Sequence, residues 1–191
     1  MSSAQEVEIK FRITDLAEVE RKLLALGFRR VTPRTHEMNT LYDLPGQPLR
    51  ARGELLRLRK YGEKWKLTHK ARSTGDGGPH KSREETETGV EDGEKLAHIL
   101  KALGFVPTFR YEKFRTEFKE GPGNVVLDET PIGNLGEIEG PPKWIDEIAV
   151  KIGLARSDYI TDTYAGLFFD WKRRTGSRAE EMTFAAVGAS R

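Results

Sequence analysis

The sequence predicts an α+β fold built mostly of antiparallel strands, with a few amphipathic helices. Three observations carry this. Residues 6–13 alternate strictly between charged and apolar side chains. Several later segments repeat that alternation with the same density of charge. Between them lie stretches whose apolar residues recur at helical spacing and stop at a glycine.

The elements follow in order. Glu6, Glu8, Lys10 and Arg12 share one face of the first strand, and Val7, Ile9, Phe11 and Ile13 share the other. Residues 14–28 then take helical spacing. Asp15 and Glu18 are placed to cap that helix, Leu16, Val19, Leu23 and Leu26 form its apolar stripe, and Gly27 ends it. Residues 36–43 lead from helix back to strand. Two charged strands follow, 55–61 with Arg57, Arg59 and Tyr61 on one face, and 64–70 with Lys64, Lys66, Thr68 and Lys70 on one face. Residues 73–80 are rich in glycine and turn formers and read as a mobile loop. The strand 81–87 groups Lys81, Arg83, Glu85 and Glu87. A second helix spans 91–103. Its ending, Leu-Lys-Ala-Leu-Gly-Phe, echoes the Leu-Leu-Ala-Leu-Gly-Phe of the first and hints at internal duplication. The strand 111–119 carries Lys113, Arg115 and Glu117, and short strands follow at 124–128 and 137–139. Pro141-Pro142 opens a helix through Ile152, and a last helix spans roughly 162–172. We read 1–172 as one domain and 173–191, which has no pattern, as a disordered tail.

Composition narrows the function. In 191 residues, 32 Lys and Arg stand against 30 Asp and Glu, a net charge of +2. Bulk attraction to nucleic acid is not expected from that balance. The absence of cysteine excludes disulfides, thiolate metal sites and a cysteine nucleophile. No segment is apolar for the length of a membrane span, and the first ten residues lack the shape of a signal peptide, so a cytoplasmic protein is expected.

The polar faces of the strands are almost wholly ionic. A sheet wet on one face would mix in more Ser, Thr, Asn and Gln. The alternative is a barrel turned inside out, with charge lining its lumen and helices covering its apolar exterior. The acids fall in alternating pairs, Glu6/Glu8, Glu85/Glu87 and Glu137/Glu139. Carboxylates two apart on a strand point the same way and repel, a penalty that a hard divalent cation removes. With oxygen ligands only, that cation is Mg²⁺ or Mn²⁺, in one or two copies. The bases Lys10, Arg57, Arg59, Lys66, Lys70, Arg83, Lys113 and Arg115 suit phosphate oxygens. Such a mixed site fits a polyphosphate carried with its metal.

These residues resemble a family. Glu6-Val7-Glu8-Ile9-Lys10 is similar to the E-x-E-x-K signature of the CYTH superfamily, which includes class IV adenylate cyclases and thiamine triphosphatases. Arg57-Leu58-Arg59 resembles its R-x-R strand, Leu67-Thr68-His69-Lys70 its L-T-x-K, Arg83/Glu85/Glu87 its R-x-E-x-E, and Lys113/Arg115 its K-x-R. Asp128 with Leu135-Gly136-Glu137-Ile138-Glu139, and Thr163-Tyr164 with Leu167-Phe168, complete the set in family order over roughly residues 6–169. The resemblance implies an eight-stranded antiparallel β-barrel, open at both ends, whose lumen binds a triphosphate and its metal. It implies Glu6, Glu8, Asp128, Glu137 and Glu139 as metal ligands. The bases named above would hold phosphates, with Lys10, Arg57 and Glu137 acting at the reacting phosphate. Glu85 and Glu87 would bind metal or, as we favour, hold neighbouring bases in place.

The activity implied is metal-dependent hydrolysis of a small triphosphate: inorganic triphosphate, a nucleoside triphosphate or thiamine triphosphate. Class IV cyclisation of ATP is the alternative, and a non-catalytic polyphosphate-binding module is a third reading. Class IV cyclases often carry His-Phe shortly before E-x-E-x-K, and residues 1–5 contain neither, which favours hydrolysis. A homodimer built through the helices is also compatible with the pattern.

Overall fold

The computed structural model describes residues 4–71 and 79–188. Its centre is a closed barrel of eight antiparallel strands. In chain order these are β1 (Ala4–Ile13), β2 (Arg29–Asp43), β3 (Leu55–Tyr61), β4 (Lys64–Lys70), β5 (Lys81–Val90), β6 (Val106–Glu120), β7 (Gly123–Thr130) and β8 (Gly133–Glu139). Around them lie α1 (Leu16–Ala25), α2 (Pro48–Ala51), α3 (Gly93–Ala102), α4 (Pro142–Ile152), α5 (Tyr164–Thr175) and α6 (Phe184–Gly188).

Around the barrel the strands run β1-β5-β4-β3-β2-β6-β7-β8, and β8 closes on β1. Exchanging β1–β4 with β5–β8 reproduces this ring in reverse, so each half of the chain supplies the same unit. The repeat glimpsed at the ends of two helices is thus a repeat of topology. Asp15 caps α1 by accepting the Glu18 N–H at 3.1 Å, and Asp92 caps α3 by accepting the Lys95 N–H at 2.9 Å. Gly27 and Gly104 follow the two helices with φ of 88° and 89°, which a side chain would disfavour.

The alternation sorts the side chains as an inside-out barrel requires. Ile9, Phe11, Ile13, Val125, Leu127 and Ile138 face outward and are buried beneath Leu23 of α1 and Ile145, Ile148, Ala149 and Ile152 of α4. On the other side Leu58 and Leu67 pack under Leu96 and Leu100 of α3. The hydrophobic stabilisation lies in these layers between barrel and helices, not in the lumen.

Three features differ from the sequence reading. β2 and β6 each begin well before the alternation becomes regular, at Arg29 and Val106. Register shifts between Arg30 and Thr35, around Pro33, break the period of two in β2. Most of the glycine-rich loop, residues 73–78, lies outside the described residues. The third difference is the tail, which is ordered through residue 188. α5 continues to Thr175, and Ala179, Met182 and Val187 are buried against Phe109, Tyr111 and Phe168. Backbone bonds tie it to β6, with the Glu112 N–H reaching the Met182 carbonyl at 3.1 Å and the Met182 N–H reaching the Arg110 carbonyl at 3.0 Å. Its apolar anchors fall at neither helical nor strand spacing, which is why no pattern marks them.

The same cluster covers one mouth of the barrel. Leu41, Phe109, Tyr111 and Leu135 come from inward-facing positions of β2, β6 and β8, yet they pack against Tyr164, Leu167 and Phe168 of α5. The tunnel expected to be open at both ends is therefore closed at one of them by α5.

Met182 is 0% exposed. Replacing it with Ala is expected to cost about 2–4 kcal/mol in equilibrium urea unfolding, as for other buried Met sites. A loose tail would give a change under about 0.5 kcal/mol.

Candidate functional site

The lumen encloses a cavity of about 560 Å³. Strand parity puts the ionic residues there. Glu6, Glu8 and Lys10 come from β1, Arg57 and Arg59 from β3, Lys66 and Lys70 from β4, and Arg83, Glu85 and Glu87 from β5. Lys113 and Arg115 come from β6, and Glu137 and Glu139 from β8. Of the residues expected at the site, Asp128 alone does not line this cavity.

Register sets the neighbours. Glu8 lies opposite Lys81 on one side and Glu139 on the other, and Lys10 lies opposite Glu137. Glu6 lies opposite Arg83, Lys70 opposite Glu85, and Glu37 opposite Lys113. The acids and bases interlock. Lys10 Nζ is 2.5 Å from Glu8 and 3.4 Å from Glu137. Lys70 Nζ is 2.5 Å from Glu6 and 3.0 Å from Glu85. Glu87 accepts from Arg59 at 3.1 Å, from the Thr68 hydroxyl at 3.2 Å and from Lys66. Glu85 and Glu87 thus pair with Lys70, Arg59 and Lys66 in this structure.

Asp128 is fully buried behind the lumen lining. Its oxygens accept from Lys113 at 2.9 Å, from Arg115 at 2.7 and 2.6 Å, and from the Tyr164 hydroxyl. Here it anchors two lumen bases and the helix that closes the mouth. Glu137 is also held by Arg115, at 2.6 Å.

Burial and pairing move the lumen carboxyls in opposite directions. Burial raises Glu8, but Lys10 and then Lys81 outweigh it and hold the carboxyl at about 2. Burial likewise opposes ionisation of Glu137, and Arg115 and Lys10 hold it well below the ordinary range. Glu6 is different: burial, reinforced by Glu8 and Glu85, pushes it up to about 7 despite Lys70. Glu139 is raised by burial and by Glu137 and Glu8. Glu6 and Glu139 are thus raised chiefly by burial, whereas Glu8 between them is held ionised by Lys10 and Lys81.

The corner where Glu6 and Glu8 of β1 meet Glu139 of β8 fits a hard divalent cation, since its donors are all carboxylate oxygens. Among the described residues no group of three or more acids and histidines converges at metal-binding spacing. Mg²⁺ or Mn²⁺ would be held there by one or two carboxylates, with phosphate oxygens supplying the rest. On the basic side the structure shows unused donors. The buried Nε atoms of Arg57, Arg59 and Arg83 have no acceptor among the described residues. Buried donors of this kind call for an acceptor, and phosphate oxygens are suited to guanidinium.

Sequence reasoning missed several site residues. Glu37 is fully buried, 3.5 Å from both Lys113 and Arg59, and accepts from Asn39 at 2.9 Å. Its signal was its position two before Asn39 in the 36–43 segment, which was not used. Lys81 shared the inward face with Arg83, yet was left out of the site. It lies 3.5 Å from Glu8, and burial and Lys10 lower it to about 8. Tyr164 stacks on Tyr111 and lies beneath Lys113, whose Nζ is 4.2 Å from its ring centre.

A family model for the CYTH domain matches residues 4–160. The chain belongs to the CYTH family. Among CYTH relatives, a protein of Methanocaldococcus jannaschii, provisionally named an adenylate cyclase, is 28% identical over 178 residues, 85% of this chain and 97% of its own length. A Vibrio parahaemolyticus structure, also provisionally described as an adenylate cyclase, superposes with a TM-score of 0.76 at 17% identity, covering 88% of this chain and 99% of that one. A Hippeastrum structure, described as an adenylyl cyclase candidate that reveals a dominant triphosphatase activity, gives a TM-score of 0.65 at 19% identity, covering 86% and 95%. These last two likenesses concern the fold. No helix among the described residues is long and apolar enough to cross a membrane.

Removing one member of a buried ion pair strands its partners. Glu37→Leu leaves Arg59 and Lys113 facing an apolar side chain and is expected to cost about 3–5 kcal/mol in urea unfolding.

Proposed function

We propose that this CYTH protein is a divalent-metal-dependent triphosphate phosphohydrolase. The observation that carries the reading is that one buried cavity holds both free guanidinium donors and a group of carboxylates. Three buried guanidinium Nε atoms have no acceptor among the described residues, and Glu6, Glu8 and Glu139 line the same cavity from adjoining strands. A pure anion binder gains nothing from those acids, whereas a triphosphate bound with its cation uses both. This argues against a non-catalytic binding module.

In this reading Lys10, Arg57, Arg59, Lys66, Lys70, Arg83, Lys113 and Arg115 hold the phosphate oxygens. The carboxylates already fix several of these bases, so little reorganisation is needed as charge develops on the phosphorus–oxygen bond being broken. Bound Mg²⁺ or Mn²⁺, held by one or two of the carboxylates of Glu6, Glu8 and Glu139, would supply further neutralisation of the phosphate oxygens. Glu137, kept ionised by Arg115 and Lys10, would accept a hydrogen bond from the attacking water in this reading. Water adds to the terminal phosphorus, the bridging oxygen leaves, and orthophosphate and diphosphate result. Lys10 and Arg57 stabilise the leaving and terminal oxygens.

The name of the Hippeastrum structure supports hydrolysis. The name of the M. jannaschii relative favours a second reading, cyclisation of ATP to cyclic AMP and diphosphate.

The test is product analysis with Mg²⁺ and with Mn²⁺, offering inorganic triphosphate, ATP and thiamine triphosphate separately. Orthophosphate release is expected, abolished by chelation and restored by added metal. Glu6→Gln and Arg57→Ala are each expected to lower kcat/KM by about a hundredfold or more, as loss of a single electrostatic contact in a transition state does. Cyclic AMP from ATP would establish the second reading.

A further inference from the structure

Most bases of the lumen are held by carboxylates. Lys10 lies 2.5 Å from Glu8, Lys70 lies 2.5 Å from Glu6, and Arg115 lies 2.6 Å from both Asp128 and Glu137. Arg57 is held differently. Its Nη1 donates to the Tyr111 hydroxyl at 3.4 Å, and its Nη2 is 3.9 Å from Glu85. Its Nε has no acceptor among the described residues. Arg57 and Tyr111 both line the tunnel cavity. A phenol oxygen is a neutral acceptor. It fixes the direction of a guanidinium without cancelling its charge, whereas a carboxylate in contact does both.

The Tyr111 ring is itself fixed. It stacks on Tyr164, with ring centres 5.4 Å and planes 14° apart, and on Phe109 at 5.9 Å and 24°. The Tyr164 hydroxyl is tied in turn to Asp128. Met182 forms a parallel β-bridge with Tyr111, and its carbonyl accepts the N–H of Glu112 at 3.1 Å. Tyr164 and Met182 both lie beyond residue 160, where the CYTH match ends.

We propose that Tyr111 is a positioning residue whose hydroxyl aims the Arg57 guanidinium at the triphosphate, and that α5 and the C-terminal segment hold the ring that does so. This rests on the tunnel binding a triphosphate. The hydroxyl forms and breaks no covalent bond. It leaves the positive charge of Arg57 free for the phosphate oxygens, which a carboxylate in its place would not.

The experiment uses Tyr111→Phe, which keeps the ring and its stack and removes the hydroxyl alone. In triphosphate hydrolysis it is expected to lower kcat/KM about tenfold, the weight of one hydrogen bond to a charged group. In an Arg57→Ala background the same change should have no further effect, because no guanidinium remains to aim. Equal losses in both backgrounds, or no loss in either, would overturn the proposal. A second measurement needs no turnover. In ¹⁵N spectra of the full chain, with Arg57 assigned by the signals lost in Arg57→Ala, a held guanidinium rotates slowly and shows distinct Nη resonances. Tyr111→Phe should merge them, and signals unchanged by that substitution would sink the proposal. If no substrate is turned over, hydrolysis fails as a function, and the Arg57 spectrum still decides whether Tyr111 holds that base.

Discussion

Opposite charges buried together are the constraint on which this structure depends. Lys10, Glu37, Lys113 and Asp128 are each almost wholly shielded from water. Left alone, any one of them would cost several kcal/mol. Pairing offsets that cost without much net gain, so the lumen does not stabilise the fold. The layers beneath α1, α3 and α4 must do so, and the apolar outward faces of the strands follow from that. What the buried pairs provide is rigidity. Lys10, Lys66, Lys70, Lys113 and Arg115 at the cavity wall each meet an acid on a neighbouring strand, and strand register brings those partners together.

The closed mouth extends the same logic. α5 brings a tyrosine into a charged interior, and its hydroxyl is tied to Asp128 while its ring lies under Lys113. Asp128, Lys113, Arg115 and Tyr164 form one network joining the floor of the cavity to the helix that covers it. The C-terminal segment then packs Met182 against the outer side of that cover. A segment without sequence pattern thereby becomes part of the wall that limits the tunnel.

Much of this was legible in the chain because a strand with charge on one side and apolar residues on the other leaves a period of two. β3 and β4 match the alternation residue for residue. The barrel itself could be inferred because the polar faces were ionic rather than merely hydrophilic. Parity, however, says which way a side chain points and not how deep it lies. Asp128 points inward like Asn124 and Val126, yet it is sealed off by α5, and only the packed structure reveals that. Glu37 was obscured for a related reason: the irregular first half of β2, with Pro33 and its register shifts, hides that its second half is a regular inward-facing strand. Met182 was invisible because a single anchoring residue has no period.

The matching halves of the chain have a consequence for any guest in the lumen. Their backbones are related by exchange, but their charges are opposed. β3 and β4 present Arg57, Arg59, Lys66 and Lys70, while their counterparts β7 and β8 carry Asp128, Glu137 and Glu139. Duplication alone would have made a vessel with two equivalent sides. Divergence of the side chains gave it a polarity, like a magnet cut from a symmetric bar. A guest with two identical ends, bound across such a lumen, no longer has equivalent ends, because only one of them can lie against the acids.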